Sequence, residues 1–177
     1  MPSRPTSASS CLGVRSSRER PDRDGPVLTG SEDRTVVFRV DPSVGAEELD
    51  NLFMASWRGY TPRDWNPVLR RSLVYICAYH DRHLIGFVNV AWDGGGHGFI
   101  LDTTVHPELR RRGIGCSLVL RAASEARDRG VEWLHVDFEP QLRKFYDLCG
   151  FRPTEAGLLH LGAPPVGRRS RRAVGEE

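Results

Sequence analysis

Arg110-Arg111-Arg112-Gly113-Ile114-Gly115 is the stretch whose reading decides the fold. An apolar run, Phe99-Ile100-Leu101-Asp102-Thr103-Thr104-Val105, lies before it, and a helical pattern from Gly113 to Arg129 follows. A strand, a tight turn and a helix in that order leave the first backbone N–H groups of the helix without intrahelical acceptors, aimed at one point. Three arginines before two glycines make that point cationic. The stretch reads as a cradle for an anion, with a diphosphate as the natural occupant.

Working outward, residues 72–79 and 84–92 are apolar, β-rich runs separated by His80-Asp81-Arg82-His83, which predicts a hairpin. Asp93-Gly94-Gly95-Gly96 forms a second turn, so three antiparallel strands lead into the arginine-glycine loop. Beyond the loop, Leu118, Val119, Ala122, Ala123 and Ala126 share one helical face, and Gly130 stops the helix. A strand over 131–138 then completes a strand-helix-strand unit, hence a parallel, right-handed crossover. A short helix over 141–149 and closing strands over 151–161 are expected next. Upstream, 34–40 reads as a strand. A helix opens at Ala46 with Glu47 and Glu48 in its first turn, where the helix dipole favours them. Leu49, Leu52, Phe53 and Trp57 fall on one face of it and Gly59 ends it; a second short helix is expected over 63–71. The fold class is α/β with a mixed sheet: mostly antiparallel, one β-α-β crossover, flanking helices.

The chain has 177 residues, 39% of them hydrophobic and 27% charged, which fits one soluble domain of ordinary size. Residues 1–33 hold Ser, Arg, Pro, Gly and Asp and too little apolar surface to offset ordering entropy, so a disordered extension is expected there. The domain is expected over 34–162 and a flexible basic tail over 163–177. The net charge of +2 is too small to argue for nucleic acid, and the arginine-rich ends are the only feature that points that way. Cys11, Cys77, Cys116 and Cys149 share no metal-type or CxxC spacing, and reduced, cytoplasmic thiols are the default. Neither a secretory leader nor a run of transmembrane length is expected. The six histidines are scattered without ligand spacing, so no metal is expected.

Arg110-x-x-Gly113-x-Gly115 resembles the acyl-CoA diphosphate loop of the GNAT family of N-acetyltransferases. The flanks strengthen the resemblance. Val105-His106-Pro107 is similar to the family's Val-x-Pro lead into that turn, and Tyr146-Asp147-Leu148-Cys149-Gly150-Phe151 is similar to its Tyr-x-x-x-Gly-Phe motif. The resemblance covers roughly Thr35 to Leu161 and is strongest from Leu101 to Phe151.

It implies a GNAT-like fold and acetyl-CoA as cosubstrate, with no metal. The main chain of Thr103, Thr104 and Val105 would pair with the pantetheine arm in a gap between splayed parallel strands. Arg110, Arg111, Arg112, Gly113, Ile114, Gly115 and Cys116 would hold the diphosphate, Gly113 and Gly115 because a Cβ blocks close approach or a positive φ is needed. Tyr146 resembles the tyrosine that assists the departing CoA sulfur. Full proton transfer from a phenol of pKa about 10 to a thiol of about 8.5 is uphill by roughly 2 kcal/mol, so a hydrogen bond is the more economical role. A packed aromatic beside Phe145 is the bland reading. Where the family often carries an asparagine, seven residues before the tyrosine, this chain has Glu139 and then Pro140, so that contact is not carried over.

A base is expected because an amine of pKa about 10.4 is neutral in roughly one molecule in 2,500 at pH 7. Asp102 interrupts the apolar run and should be desolvated, with a raised pKa. Glu139 and Asp137 are the runners-up, a carboxylate that only shapes the pocket is an equal reading for Asp102, and water can carry the proton instead. Cys116 sits where a helix N-terminus favours thiolate, although direct transfer is the family's usual route. Trp57, Tyr60, Asp64 and Trp65 fall where the family places acceptor-site helices. The function expected is N-acetyl transfer to a primary amine of a small molecule by a monomer or homodimer, with a peptide N-terminus or lysine as the alternative acceptor. A non-catalytic acyl-CoA sensor or partner-binding module is the competing class.

Overall fold

The computed structural model describes residues 35–161. The expectations for 1–33 and 163–177 lie outside the described residues. Five strands form one sheet: β1 (Val37–Val40), β2 (Val74–His80), β3 (His83–Trp92), β4 (His97–Val105) and β5 (Trp133–His135), in the order β1-β2-β3-β4-β5. The first three pairings are antiparallel, and β4–β5 is parallel. Four helices complete the fold: α1 (Ala46–Ser56), α2 (Asn66–Leu69), α3 (Ile114–Asp128) and α4 (Arg143–Leu148). Short 3-10 turns at Pro107–Leu109 and Pro140–Leu142 precede α3 and α4.

Each face of the sheet has its own core. On one, α3 lays Ile114, Leu118, Ala122 and Ala126 against apolar residues such as Ile76 and Val88. On the other, Leu49, Leu52 and Phe53 of α1, with Trp65, cover Cys77 and Phe87. Burying one such large side chain contributes roughly 2 kcal/mol, so α3 and α1 are held mainly by these stripes. Trp57 departs from the expected face. It follows the last turn of α1, is 44% exposed, and meets Phe53 edge-on at 5.1 Å. The second helix shrinks from 63–71 to Asn66–Leu69, with Pro67 in its first turn.

Two strand expectations change. The strand expected over 131–138 is confined to Trp133–His135, because its pairing with β4 stops there. The closing strands expected over 151–161 are not formed: Phe151 is half-buried, no strand follows it among the described residues, and Leu158, Leu159 and Leu161 are 86%, 78% and 87% exposed. Pro153 has no N–H to give a ladder, and the leucines meet no sheet face that they could cover.

Candidate functional site

β4 carries the irregularity on which the site depends. Phe87 of β3 pairs with Thr104 and Asn89 with Leu101, so Asp102 and Thr103 together oppose Val88 alone. This is a β-bulge, and Asp102 takes the left-handed conformation with φ 56°. Aspartate is among the few non-glycine residues that tolerate it. The bulge re-aims two consecutive side chains. Asp102 turns toward Asn89 and the loop between α1 and α2, and the Thr103 hydroxyl is buried without a hydrogen-bond partner.

On its other edge β4 pairs with β5 only through His97–Trp133, Gly98–Leu134 and Phe99–His135. From Ile100 to Val105 it continues with no β5 partner, leaving backbone groups of β4 open along a gap. Tyr146 of α4 stands at this gap. Its ring is buried, stacked on Phe138 at 4.7 Å and edge-on to Phe145 and Phe151. Burial raises its hydroxyl above the ordinary phenol range, against a smaller opposing effect of Thr103. The two hydroxyls face one another without meeting hydrogen-bond geometry.

The arginine-glycine loop follows directly. Gly113 caps α3 with φ 79°, and a Cβ placed there would meet nothing within 4 Å, so the backbone conformation is what requires glycine. Its carbonyl accepts the Ser117 N–H at 3.0 Å. The N–H groups of Ile114, Gly115 and Cys116 precede that first helical bond and have no acceptor within the helix. Gly115 answers a different need. A Cβ there would lie 3.2 Å and 3.4 Å from ring atoms of Phe145, so this glycine lets α3 pack on α4. Arg110 donates from Nε to the Val105 carbonyl at 3.1 Å and from Nη2 to the Ser56 carbonyl at 3.2 Å. Its guanidinium ties the loop to the end of β4 and to α1. Arg111, at φ 65°, and Arg112 are exposed beside the cradle.

The Asp102 side chain is 18% exposed. Burial raises its carboxyl above the usual range, while Arg63, 3.6 Å away, and the Asn89 side chain act against that rise. Arg63 is held in turn: its guanidinium lies 4.0 Å over the Trp65 ring. Asp50 Oδ1 accepts the Tyr60 hydroxyl at 2.5 Å, Trp65 Nε1 at 3.1 Å and the Arg63 N–H at 3.4 Å. Burial pushes the Asp50 carboxyl up, but these donors outweigh it and hold the group below its ordinary value. A charged hub on α1 therefore pins the loop that carries Arg63 toward Asp102.

Asp102, Thr103 and Tyr146 thus meet around the gap, beside the first turn of α3. Glu139 is exposed ahead of the Pro140–Leu142 turn, and no hydrogen bond or ion pair among the described residues joins it to Asp102 or Tyr146. Asp137 is also exposed and adds slightly to the rise of the Tyr146 hydroxyl. Reading the sequence missed Asn89, Arg63 and Asp50. Asn89 had a signal, being the one amide in an otherwise apolar strand; Arg63 and Asp50 had none. The histidines are less scattered than their spacing suggests. His97 Nδ1 and His135 Nε2 lie 2.8 Å apart, although no group of three or more His, Cys, Asp or Glu suited to a metal occurs among the described residues. None of the described helices is long and apolar enough to cross a membrane.

A mixed sheet whose one parallel pair ends at Phe99–His135, beside the N-terminus of α3, is the α/β class that the fold defines. Residues 46–151 match the model of the acetyltransferase (GNAT) family, and the chain belongs to that family. A mycothiol acetyltransferase of Mycolicibacterium vanbaalenii is 36% identical over 66 residues, which are 37% of this chain and only 22% of that relative's length. A solved structure from Deinococcus radiodurans R1, classed with the acetyltransferases, is 25% identical with a TM-score of 0.61, over 71% of this chain and 88% of its own. The aminoglycoside N-acetyltransferase AAC(6')-Iy in complex with CoA has the same fold at 19% identity and a TM-score of 0.61, over 73% and 95% of the two chains.

Proposed function

We propose that this chain is an acetyl-CoA-dependent N-acetyltransferase whose acceptor is the primary amine of a small molecule. One observation carries the reading: a half-buried carboxylate, Asp102, sits on a bulge at the mouth of an unpaired strand gap, next to free helix N-terminal amides. The residues present fit the cosubstrate. Gly113 leaves open space at the turn, three amides lack intrahelical acceptors, and Thr103 offers a buried hydroxyl with no partner. Family membership and the mycothiol and aminoglycoside enzymes, which are named for small molecules, support the same choice.

The chain's own groups divide the work as follows. The amides of Ile114, Gly115 and Cys116, with Arg111 and Arg112 beside them, hold a diphosphate. Unpaired backbone groups of Ile100 to Val105 align the arm that follows it and donate to developing negative charge. Acetyl-CoA supplies an acyl group activated as a thioester. Asp102 receives the acceptor's ammonium and takes its proton, and burial has already raised its proton affinity toward that of the amine. Tyr146 keeps its own proton, because burial makes the phenol a still weaker acid. It therefore assists by donating a hydrogen bond to the leaving sulfur. The pinned loop with Arg63 narrows the approach to Asp102, which suits a small amine better than a folded protein.

The test is a panel of small amines, lysine peptides and free peptide N-termini incubated with acetyl-CoA. Free thiol release and a matching acetyl mass gain on small amines are expected. Transfer confined to peptides would move the acceptor assignment to protein amines. Tight CoA binding with no transfer to any amine would favour a sensor and overturn the enzymatic reading.

A further inference from the structure

Two sulfur atoms have no part in the chemistry described above. Cys116 lies in the first turn of α3, and Cys149 caps the end of α4. Their Sγ atoms are 3.4 Å apart, with the Cys149 thiol donating to Cys116. Cys149 is 8% exposed and belongs to the cluster around Tyr146; Cys116 is half-buried at the edge of the same cluster. Burial and the neighbouring sulfur push the Cys149 thiol up to about 12, so it stays protonated at neutral pH. Cys77 is fully buried in the separate cluster under α1 and does not compete for Cys149.

We propose that Cys116 and Cys149 form a reversible oxidation site, at which a hydroperoxide converts the thiol pair into a disulfide that weakens CoA binding. The coupling to CoA rests on the function proposed above; formation of the bond does not. The roles of the two sulfurs differ by access and hydrogen bonding. Cys116, the more exposed and the one that accepts a hydrogen bond, attacks the hydroperoxide as thiolate. An S–O bond forms, the O–O bond breaks, and the alcohol or water leaves with the second oxygen. Cys149, already at contact distance, then attacks the Cys116 sulfenic acid. The S–S bond forms, the S–O bond breaks, and the Cys149 proton leaves with hydroxide as water. Sulfur is oxidised by two electrons in all, and the peroxide is reduced.

The position of the bond links it to function. A disulfide draws the sulfurs from 3.4 Å to about 2.0 Å. The two helices already touch where Phe145 packs on Gly115, so they cannot simply close together. The adjustment falls on the first turn of α3, which supplies the free amides, and on the end of α4, one turn beyond Tyr146.

The experiment uses the full chain, fully reduced and then treated with hydrogen peroxide. Peptide mapping after alkylation reads the bond, and calorimetric titration with CoA reads the coupling. A linked Cys116–Cys149 peptide lacking two hydrogens is expected, together with a fall in CoA affinity on the order of tenfold that dithiothreitol reverses. In Cys149→Ser, oxidation is expected to stop at Cys116 sulfenic acid, trapped by dimedone, with no linked peptide. Thiols that both remain open to alkylation, a bond to another cysteine, or a disulfide that leaves CoA affinity unchanged would each overturn the proposal. Reduced protein that does not bind CoA at all overturns the functional reading and the coupling with it, and the linked peptide then decides the oxidation site by itself.

Discussion

Replacing Asp102 by asparagine separates what this residue does for the fold from what it does for catalysis. Asparagine has the same size and tolerates φ 56° as aspartate does. Only the charge is lost. In the folded protein the carboxyl is raised by burial, so between its unfolded and folded pKa values the native state binds more protons than the unfolded state. Wild-type stability therefore falls as pH rises through that window and stays lower above it. Asp102→Asn lacks this slope. The opposing term is the ion pair with Arg63, which is 3.6 Å long with Arg63 46% exposed. Such a pair contributes about 0–1 kcal/mol. The variant should thus equal or exceed wild type in urea unfolding at pH 8, with the difference shrinking as the pH falls below both pKa values. Activity should move the other way. Removing a general base costs roughly 10²–10⁴-fold in kcat/KM, and the acidic limb of the pH profile should vanish while CoA affinity holds. A variant that unfolds more easily at pH 8 yet keeps its full turnover would refute the reasoning, because Asp102 would then be a structural carboxylate.

Tyr146→Phe should lower kcat by about a hundredfold with little change in CoA affinity, read by steady-state kinetics and titration calorimetry; unchanged turnover would reduce Tyr146 to a packed aromatic. Gly113→Ala meets no neighbour, so its cost is the left-handed backbone alone, about 1–2 kcal/mol in urea unfolding, with weaker CoA binding as the turn relaxes. Asp50→Ala takes away the acceptor of the Tyr60 hydroxyl and leaves Trp65 Nε1 only the Tyr60 oxygen, which should cost about 1–3 kcal/mol and raise KM for the amine more than for acetyl-CoA. Arg110→Ala frees the Val105 and Ser56 carbonyls and should loosen the loop, detectable as faster amide exchange across 110–116.

The sheet, its crossover and the helix after the loop were legible because each depends on local pattern: strands are apolar, β-rich runs, turns carry glycine or aspartate, and α3 shows its apolar face at helical spacing. The form of the loop was legible for the same reason, since free amides follow from a turn that opens a helix. What the sequence hid was tertiary. That Arg110 would clasp two carbonyls depends on where α1 ends. Gly115 was read as room for a ligand, and nothing in the run showed that Phe145, thirty residues on, packs against it. The bulge that aims Asp102 is a register shift, and a register shift has no signature in a run of apolar residues. The leucines of 158–161 looked like strand because they are apolar, but β5 ends at His135 and offers them no ladder.

The loop of three arginines and two glycines remains the feature to be measured. Calorimetric titration of the reduced chain with CoA, and separately with pantetheine, which lacks the diphosphate, tests directly whether the first turn of α3 anchors the cosubstrate. Saturable binding of CoA at a single site, with pantetheine weaker by orders of magnitude, is expected. No binding of CoA, or pantetheine bound as tightly as CoA, would contradict an anion cradle at Gly113 to Cys116.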